Sequence, residues 1–99
     1  MALALNLATD ALRDLLGGRF RSRTPRRAWV SLRSPVLAGE ADVAILGRRV
    51  PLDVKLACEA GLRIVGPDFP DESALEVPSP EEALARLVFH LASGPIPDQ

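Results

Sequence analysis

The first sixteen residues, MALALNLATDALRDLL, separate apolar from polar positions with a helical period. On a helical wheel of about 100° per residue, alanines and leucines gather on one arc and polar residues on the opposite arc. The apolar arc holds Ala4, Leu5, Ala8, Ala11, Leu12, Leu15 and Leu16. Gly17 and Gly18 follow, and glycine is common just after the last turn of a helix. The pattern predicts an amphipathic helix over residues 2–16.

Three short apolar runs in the middle of the chain predict strands: AWVSL at 28–32, ADVAIL at 41–46 and LRIV at 62–65. Between the last two runs, residues 51–60 have a proline near their start and Gly61 just past their end, as short helices do. Strand, helix and strand in this order predict a βαβ crossover with a parallel strand pair. The alternative is a tight hairpin that turns at Gly47-Arg48, and we prefer the crossover.

The clearest helix start in the chain is Ser79-Pro80-Glu81-Glu82. It matches a capping box, in which the serine hydroxyl accepts the amide of the glutamate three residues later, with proline at the first helical position. The buried stripe predicted for this helix consists of Leu84, Leu87, Val88 and Leu91. Before the helix, residues 66–80 hold four of the nine prolines and form an acidic loop. After it, residues 94–99 are expected to fray.

These elements predict one domain over residues 1–99. Its fold class is α/β, with α+β as the alternative. We expect a single-layer sheet of three to four strands, an N-terminal helix, a crossover helix and a capped C-terminal helix. The length suits a single small domain, and a composition of 47% apolar and 25% charged residues is typical of globular chains.

Charge is distributed unevenly along the chain, although the net charge is only −1. Residues 1–33 carry seven arginines against two acids, whereas residues 67–99 carry seven acids against one arginine. Such an asymmetry means either that the two ends of the chain pair with each other or that each end meets a partner of opposite charge.

The arginines are densest in GGRFRSRTPRRAW, where five stand within nine positions: Arg19, Arg21, Arg23, Arg26 and Arg27. Because a guanidinium group donates two parallel hydrogen bonds to phosphate or carboxylate, we predict that these residues bind an anionic protein or a nucleic acid. Two observations weigh against nucleic acid, namely the isoelectric point of about 5.8 and the lack of a recognisable nucleic-acid motif. The alternative is a solvated connector or edge strand.

A second candidate site lies where the predicted parallel strands end. In open α/β sheets, ligands bind beyond the carboxyl ends of strands, and here those ends carry Arg48, Arg49 and Asp68. Asp42 interrupts an apolar strand and joins this set, because a buried carboxylate needs partners and often has a functional role. The alternative is that Asp42, at the first residues of its strand, faces solvent. The function that follows is a small nucleotide-binding or anion-binding, enzyme-like domain.

A third candidate is an interface. On the wheel of the last helix, Phe89 points away from the buried stripe, and Ala85 and Ala92 stand near it. A large aromatic flanked by small residues suits contact with a second copy of the chain. The alternative is that the first helix or the arginine-rich stretch covers Phe89 within the same chain.

Our preferred function is a non-catalytic binding or interaction module, homodimeric through Phe89, without metal or cofactor. A lone Cys58 and a lone His90 are poor evidence for a metal site or for catalysis. We expect a cytoplasmic location, because the N-terminus lacks the basic region of a signal peptide and no apolar run is long enough to span a membrane. Eleven arginines against one lysine, with nine prolines, are typical of a heat-adapted bacterial protein, although GC-rich coding produces the same bias.

Overall fold

The computed structural model describes residues 2–93, which form six strands and three helices. The predicted frayed tail, residues 94–99, lies outside the described residues. The strands are β1 (Ala2–Ala8), β2 (Arg19–Phe20), β3 (Ala28–Arg33), β4 (Asp42–Leu46), β5 (Leu62–Val65) and β6 (Leu75–Glu76). The helices are α1 (Thr9–Leu16), α2 (Leu52–Ala57) and α3 (Pro80–Ser93).

All six strands belong to one sheet with the order β1-β3-β4-β5-β6-β2. The four inner strands are parallel, while β1 and β2 pair antiparallel at the two edges. The α/β class is therefore confirmed, but the predicted count of three to four strands is wrong. Two-residue strands such as β2 and β6 have no periodicity to detect, so only tertiary pairing reveals them. The preferred crossover is confirmed, because β4 and β5 run parallel with α2 between them.

The predicted helix over residues 2–16 is wrong in its first half, because residues 2–8 form β1 and α1 begins only at Thr9. The sequence carries both periods here, since leucines at 3, 5 and 7 also alternate with smaller or polar residues. Antiparallel pairing with β3 selects the strand. The predicted end of the helix is right: Gly17 adopts the left-handed conformation, with φ 65°, that closes α1.

A β-bulge interrupts β1. Ala4 pairs with Ser31 and Leu7 with Trp29, so Leu5 and Asn6 together oppose the single residue Val30. Asn6 has a φ of 51°, which asparagine tolerates better than other residues with a side chain.

The sheet is covered on both faces, but unequally. Alternate residues of β4 divide between two clusters: Val43 and Ile45 join the larger core with α1 and α3, whereas Ala44 and Leu46 join a smaller cluster with Cys58. The crossover helix α2 buries none of its residues, and the side chains of Leu52 and Leu56 are 63% and 71% exposed. The smaller cluster is therefore covered mainly by loops.

Helix α3 begins at Pro80 as predicted, and the Ser79 hydroxyl accepts the Glu82 amide at 3.3 Å. The buried stripe is narrower than predicted. Leu87 is fully buried, but Leu84 and Val88 remain 43% and 40% exposed.

Candidate functional site

The arginine segment, which we define as residues 19–27, is held to the domain at both ends. At its start, β2 pairs with β6 through Arg19 and Glu76. At its end, the buried Thr9 acts as a hub: its hydroxyl donates to the Pro25 carbonyl and accepts the indole N–H of Trp29, both at 2.8 Å. Thr9 also donates its amide to the Arg27 carbonyl at 3.0 Å. The segment is therefore a fixed connection rather than a loose linker.

Arg21 lies inside this connection, with only 11% of its side chain exposed. Its Nε donates to Glu76 at 3.1 Å, and its two terminal nitrogens donate to four backbone carbonyls between residues 66 and 71. Those carbonyls belong to Gly66, Pro67, Phe69 and Asp71. A guanidinium has five N–H donors, and all five are used. Arg21 has no donor left for an external anion, and the structure removes it from the predicted anion-binding set.

Two further contacts tie the arginine segment to the acidic loop. The Ser22 hydroxyl donates to the Glu72 carboxylate, and the Arg23 amide donates to the Glu72 carbonyl at 2.9 Å. Part of the charge asymmetry is thus satisfied within the chain, through Arg21 with Glu76. The side chains of the other arginines in the segment form no ion pair with any residue in the range 2–93.

Aromatic rings order the arginines on the outer side of the segment. The guanidinium of Arg26 lies 3.9 Å from the ring centroid of Phe20, and that of Arg13 lies 4.8 Å from the same centroid. Arg27 lies 5.1 Å from the ring of Trp29. Arg13 was not in the predicted set, because its contact with Phe20 depends on how α1 turns back onto β2. Arg23, Arg26 and Arg27 are exposed, and we call these three residues the cationic surface.

Arg19 lies apart from the cationic surface. It lines a cavity of about 450 Å³ together with the carboxylates of Asp68, Glu72 and Glu76. Because β2 alternates its side chains, Arg19 and Phe20 point to opposite faces. The five arginines predicted as one group are therefore divided among three environments.

A second cavity, of about 420 Å³, lies where β4, β5 and β6 end. Its charged lining residues are Arg48, Lys55, Asp68 and Glu81. This is the carboxyl edge of the parallel strands, where ligands bind in open α/β sheets. We call it the strand-end cavity. Of the four residues predicted for a strand-end site, Arg48 and Asp68 line it, whereas Arg49 and Asp42 do not.

No protein-family model, curated protein or solved structure matches this chain.

Asp42 lies at the opposite end of β4 from Arg48. Its carboxylate accepts the Ser31 hydroxyl at 2.6 Å and the Gly39 amide at 2.9 Å, and Arg33 lies 3.2 Å away. The hydrogen bond from Ser31, followed by the one from Gly39, lowers the pKa of Asp42 below its ordinary value of 3.8. These contacts hold the start of β4 against β3, so Asp42 serves the loop that precedes β4.

The strand-end cavity balances its own charge. The Glu81 carboxylate accepts the backbone amide of Arg48 at 2.5 Å. That hydrogen bond, with a smaller effect from the charges of Arg48 and Lys55, lowers the pKa of Glu81 below 4.5. Two cations face two acids, so the cavity suits a ligand that carries both signs of charge better than a highly charged anion.

The predicted interface residues lie on the outer face of α3. Phe89 is 73% exposed, and Ala85 and Ala92 are exposed beside it on the same helix. Among the described residues, neither α1 nor the arginine segment covers the ring. Whether a second copy does so stays a prediction.

No group of three or more His, Cys, Asp and Glu side chains in the described part of the chain is arranged to hold a metal ion. None of its helices is both long enough and apolar enough to cross a membrane. His90 is exposed near the end of α3, and Cys58 is buried in the smaller cluster.

Proposed function

We propose that this protein is a non-catalytic binding module whose cationic surface holds an acidic segment of another protein. The observation that supports this most is the stacking of Arg26 on Phe20 at 3.9 Å. A guanidinium packed face-on against a ring keeps the N–H donors along its edge free. Arg26 can therefore present its planar donor edge to a carboxylate.

Order in these side chains favours binding. A free arginine loses rotamer entropy when it binds, at a cost of roughly 0.5–1.5 kcal/mol for each immobilised side chain. Arg26 and Arg27 already lie against aromatic rings, and Thr9 fixes the backbone of the segment. These side chains therefore lose less rotamer entropy when a ligand binds. Arg21 adds to this order by holding the segment to the loop at residues 66–71, and it does not itself contact the ligand.

The contacts of the Phe20 ring favour one class of partner over the other. Single-stranded nucleic acids bind through bases that stack on free aromatic rings. Phe20 is the aromatic residue of this surface that a base would use, but Arg13 and Arg26 already lie over its ring. An acidic peptide needs only the guanidinium edges, so the arrangement favours an acidic peptide over a nucleic acid.

The proposal is tested with two probes, a short poly-glutamate peptide and an oligonucleotide of equal charge, titrated at low salt. Arg26→Ala with Arg27→Ala is expected to weaken peptide binding at least about ten-fold, because two carboxylate contacts are lost. Arg49→Ala with Arg86→Ala is the matched control, since it removes two exposed arginines outside both the cationic surface and the strand-end cavity and should leave peptide affinity unchanged. Tighter binding of the oligonucleotide would change the partner to a nucleic acid. No saturable binding of either probe would remove the proposal.

The strand-end cavity supports a second candidate function, binding of a small ligand with both charge signs. Its volume of about 420 Å³ is within the range of small-molecule sites. Free amino acids and dipeptides, which carry both signs of charge at neutral pH, are the probes, and binding is followed by NMR shifts of the Arg48, Lys55 and Ser79 amides. Arg48→Ala should weaken binding, while Arg49→Ala, outside the cavity, should not. Absence of localised shifts with both probes would exclude this function.

A further inference from the structure

The two edges of the sheet differ in how they are protected from pairing with another strand. The β2 edge is only two residues long and carries Arg19. The β1 edge is seven residues long and contains neither a charged residue nor a proline. Within residues 2–93, β1 pairs with β3 alone. Natural proteins protect sheet edges with charges, prolines, short strands or bulges, and of these β1 has only the bulge at Leu5 and Asn6.

An apolar groove opens beside this edge. It has a volume of about 210 Å³ and is lined by Leu3, Leu32, Ile45 and Leu84, among others. Leu3 belongs to β1, Leu32 to β3 and Ile45 to β4, so the groove crosses the face of the sheet and reaches the edge strand at Leu3. Helix α3 packs over β1, and its Leu84 and Val88 leave about two fifths of their surface exposed.

We propose that the β1 edge is the contact between two copies of this chain, joined antiparallel about a two-fold axis into a twelve-stranded sheet. An antiparallel pair of identical strands satisfies the outward N–H and C=O groups of both copies with the same set of hydrogen bonds. The two-fold axis also brings the α3 helices of the two copies side by side, so the exposed leucine and valine of each copy meet apolar surface of the other.

Charge favours a second copy as the occupant. Two identical surfaces repel each other when they carry charge of one sign, and the cationic surface and the two cavities described above carry charged side chains. The β1 edge is the neutral exception: the only arginine that lines its groove is Arg33, which pairs with Asp42 at 3.2 Å. A partner of opposite charge would find nothing to recognise there, whereas an identical neutral strand meets no repulsion.

The bulge limits the length of the contact. Leu5 and Asn6 interrupt the regular ladder, so pairing between copies is expected over residues 2–4, before the bulge. Three residues of strand pairing are weak by themselves, and the groove beside them must supply most of the buried apolar area. Ala4 is exposed and lies in the paired stretch, which makes it the position to vary.

The test is the mass of the protein by analytical ultracentrifugation over a range of concentrations. The wild type is expected to form a dimer. Ala4→Lys and Ala4→Glu should each weaken it several-fold, because pairing of residues 2–4 about the two-fold axis places the two like charges diagonally across the strands, about 7–8 Å apart. An equal mixture of the two variants should dimerise again, since the charges become complementary. Phe89→Glu is the control and should leave the dimer intact, because Phe89 lies outside the groove.

Hydrogen exchange gives a second measurement on the wild type, without any substitution. Amides of residues 2–4 should become more protected as the concentration rises, while those of the other edge, β2, should not. A wild type that is monomeric throughout the range overturns the proposal. So does a dimer that Phe89→Glu dissociates and Ala4→Lys leaves unchanged. This inference does not depend on the proposed function, because the cationic surface and β1 are tested by different variants.

Discussion

At the scale of single residues, the same side-chain type has different roles in different places. Arg21 donates hydrogen bonds to five acceptors within the chain. Arg26, five positions later, is exposed to solvent and lies over the ring of Phe20. Asp42 likewise holds a loop rather than lining the strand-end cavity, although Asp68 lines it. Residue type therefore indicates which chemistry is available, and the neighbours decide whether it faces outward.

Asp42 gives stability a defined dependence on pH. Its pKa is lower in the folded chain than its ordinary value of 3.8, so the folded state binds a proton less readily than the unfolded state. Its contribution is present above that ordinary value and is lost as pH falls through the lowered pKa. We expect Asp42→Asn to destabilise the protein near neutral pH and to destabilise it less at a pH below 3.8.

Urea unfolding of the wild type and Asp42→Asn at both pH values measures this difference. Asp68→Asn is the control, because Asp68 forms no ion pair within the described residues. A penalty for Asp42→Asn that is equal at both pH values would contradict the assignment.

At the scale of elements, packing separates α3 from α2. Helix α3 has a strong local start signal and buries Leu87 completely, so its sequence and its environment agree. Helix α2 was also predicted, over residues 51–60, but it spans only Leu52–Ala57 and buries none of its residues. Local signals thus place a helix without indicating what it covers.

Arg21 holds two elements together and should behave as a structural residue. We expect Arg21→Met to lower the free energy of unfolding by at least about 2 kcal/mol, because it leaves Glu76 and four carbonyls without their donor. Arg19→Met, at an exposed position two residues earlier, should change it by less than about 0.5 kcal/mol. Chemical denaturation measures both. Equal effects of the two variants would show that the Arg21 contacts do not stabilise the fold.

At the scale of the whole molecule, segments far apart in sequence meet closely at Gly61. A Cβ atom there would overlap the Glu40 carbonyl oxygen and stand 2.5 Å from Cζ3 of Trp29. The Gly61 amide also donates to the Gly39 carbonyl at 3.0 Å. The start of β5 is thereby packed against the loop before β4 and the largest side chain of the core, so a side chain at 61 would separate them.

We expect Gly61→Ala to destabilise the protein by about 3 kcal/mol or more, because backbone rather than a flexible side chain must move. Gly39→Ala is the matched control: the nearest atom to its Cβ would be 3.8 Å away, in ordinary contact. That variant should be neutral or stabilising by up to about 1 kcal/mol. Thermal unfolding of the two variants makes the comparison. Similar losses in both would show that the close approach at Gly61 is not limiting.

The sequence by itself determined the α/β class, the crossover between β4 and β5, the capped start of α3, and the glycine that ends α1 in the left-handed conformation. These features depend on periods, caps and turn residues within a few positions of one another, and local physics is visible in local sequence. It also located the cationic stretch and two of the residues that line the strand-end cavity.

Only the tertiary structure decided that residues 2–8 are a strand, that the sheet has six strands, and that Arg21 points inward while Arg26 points outward. Each of these outcomes depends on a partner far along the chain: β3 for β1, β6 for β2, and the carbonyls of residues 66–71 for Arg21. A segment whose pattern fits both a helix and a strand adopts the structure in which its hydrogen bonds are satisfied and its apolar face is buried. A polar side chain likewise takes the environment in which its hydrogen bonds are satisfied. That choice is made by contacts that no stretch of sequence contains.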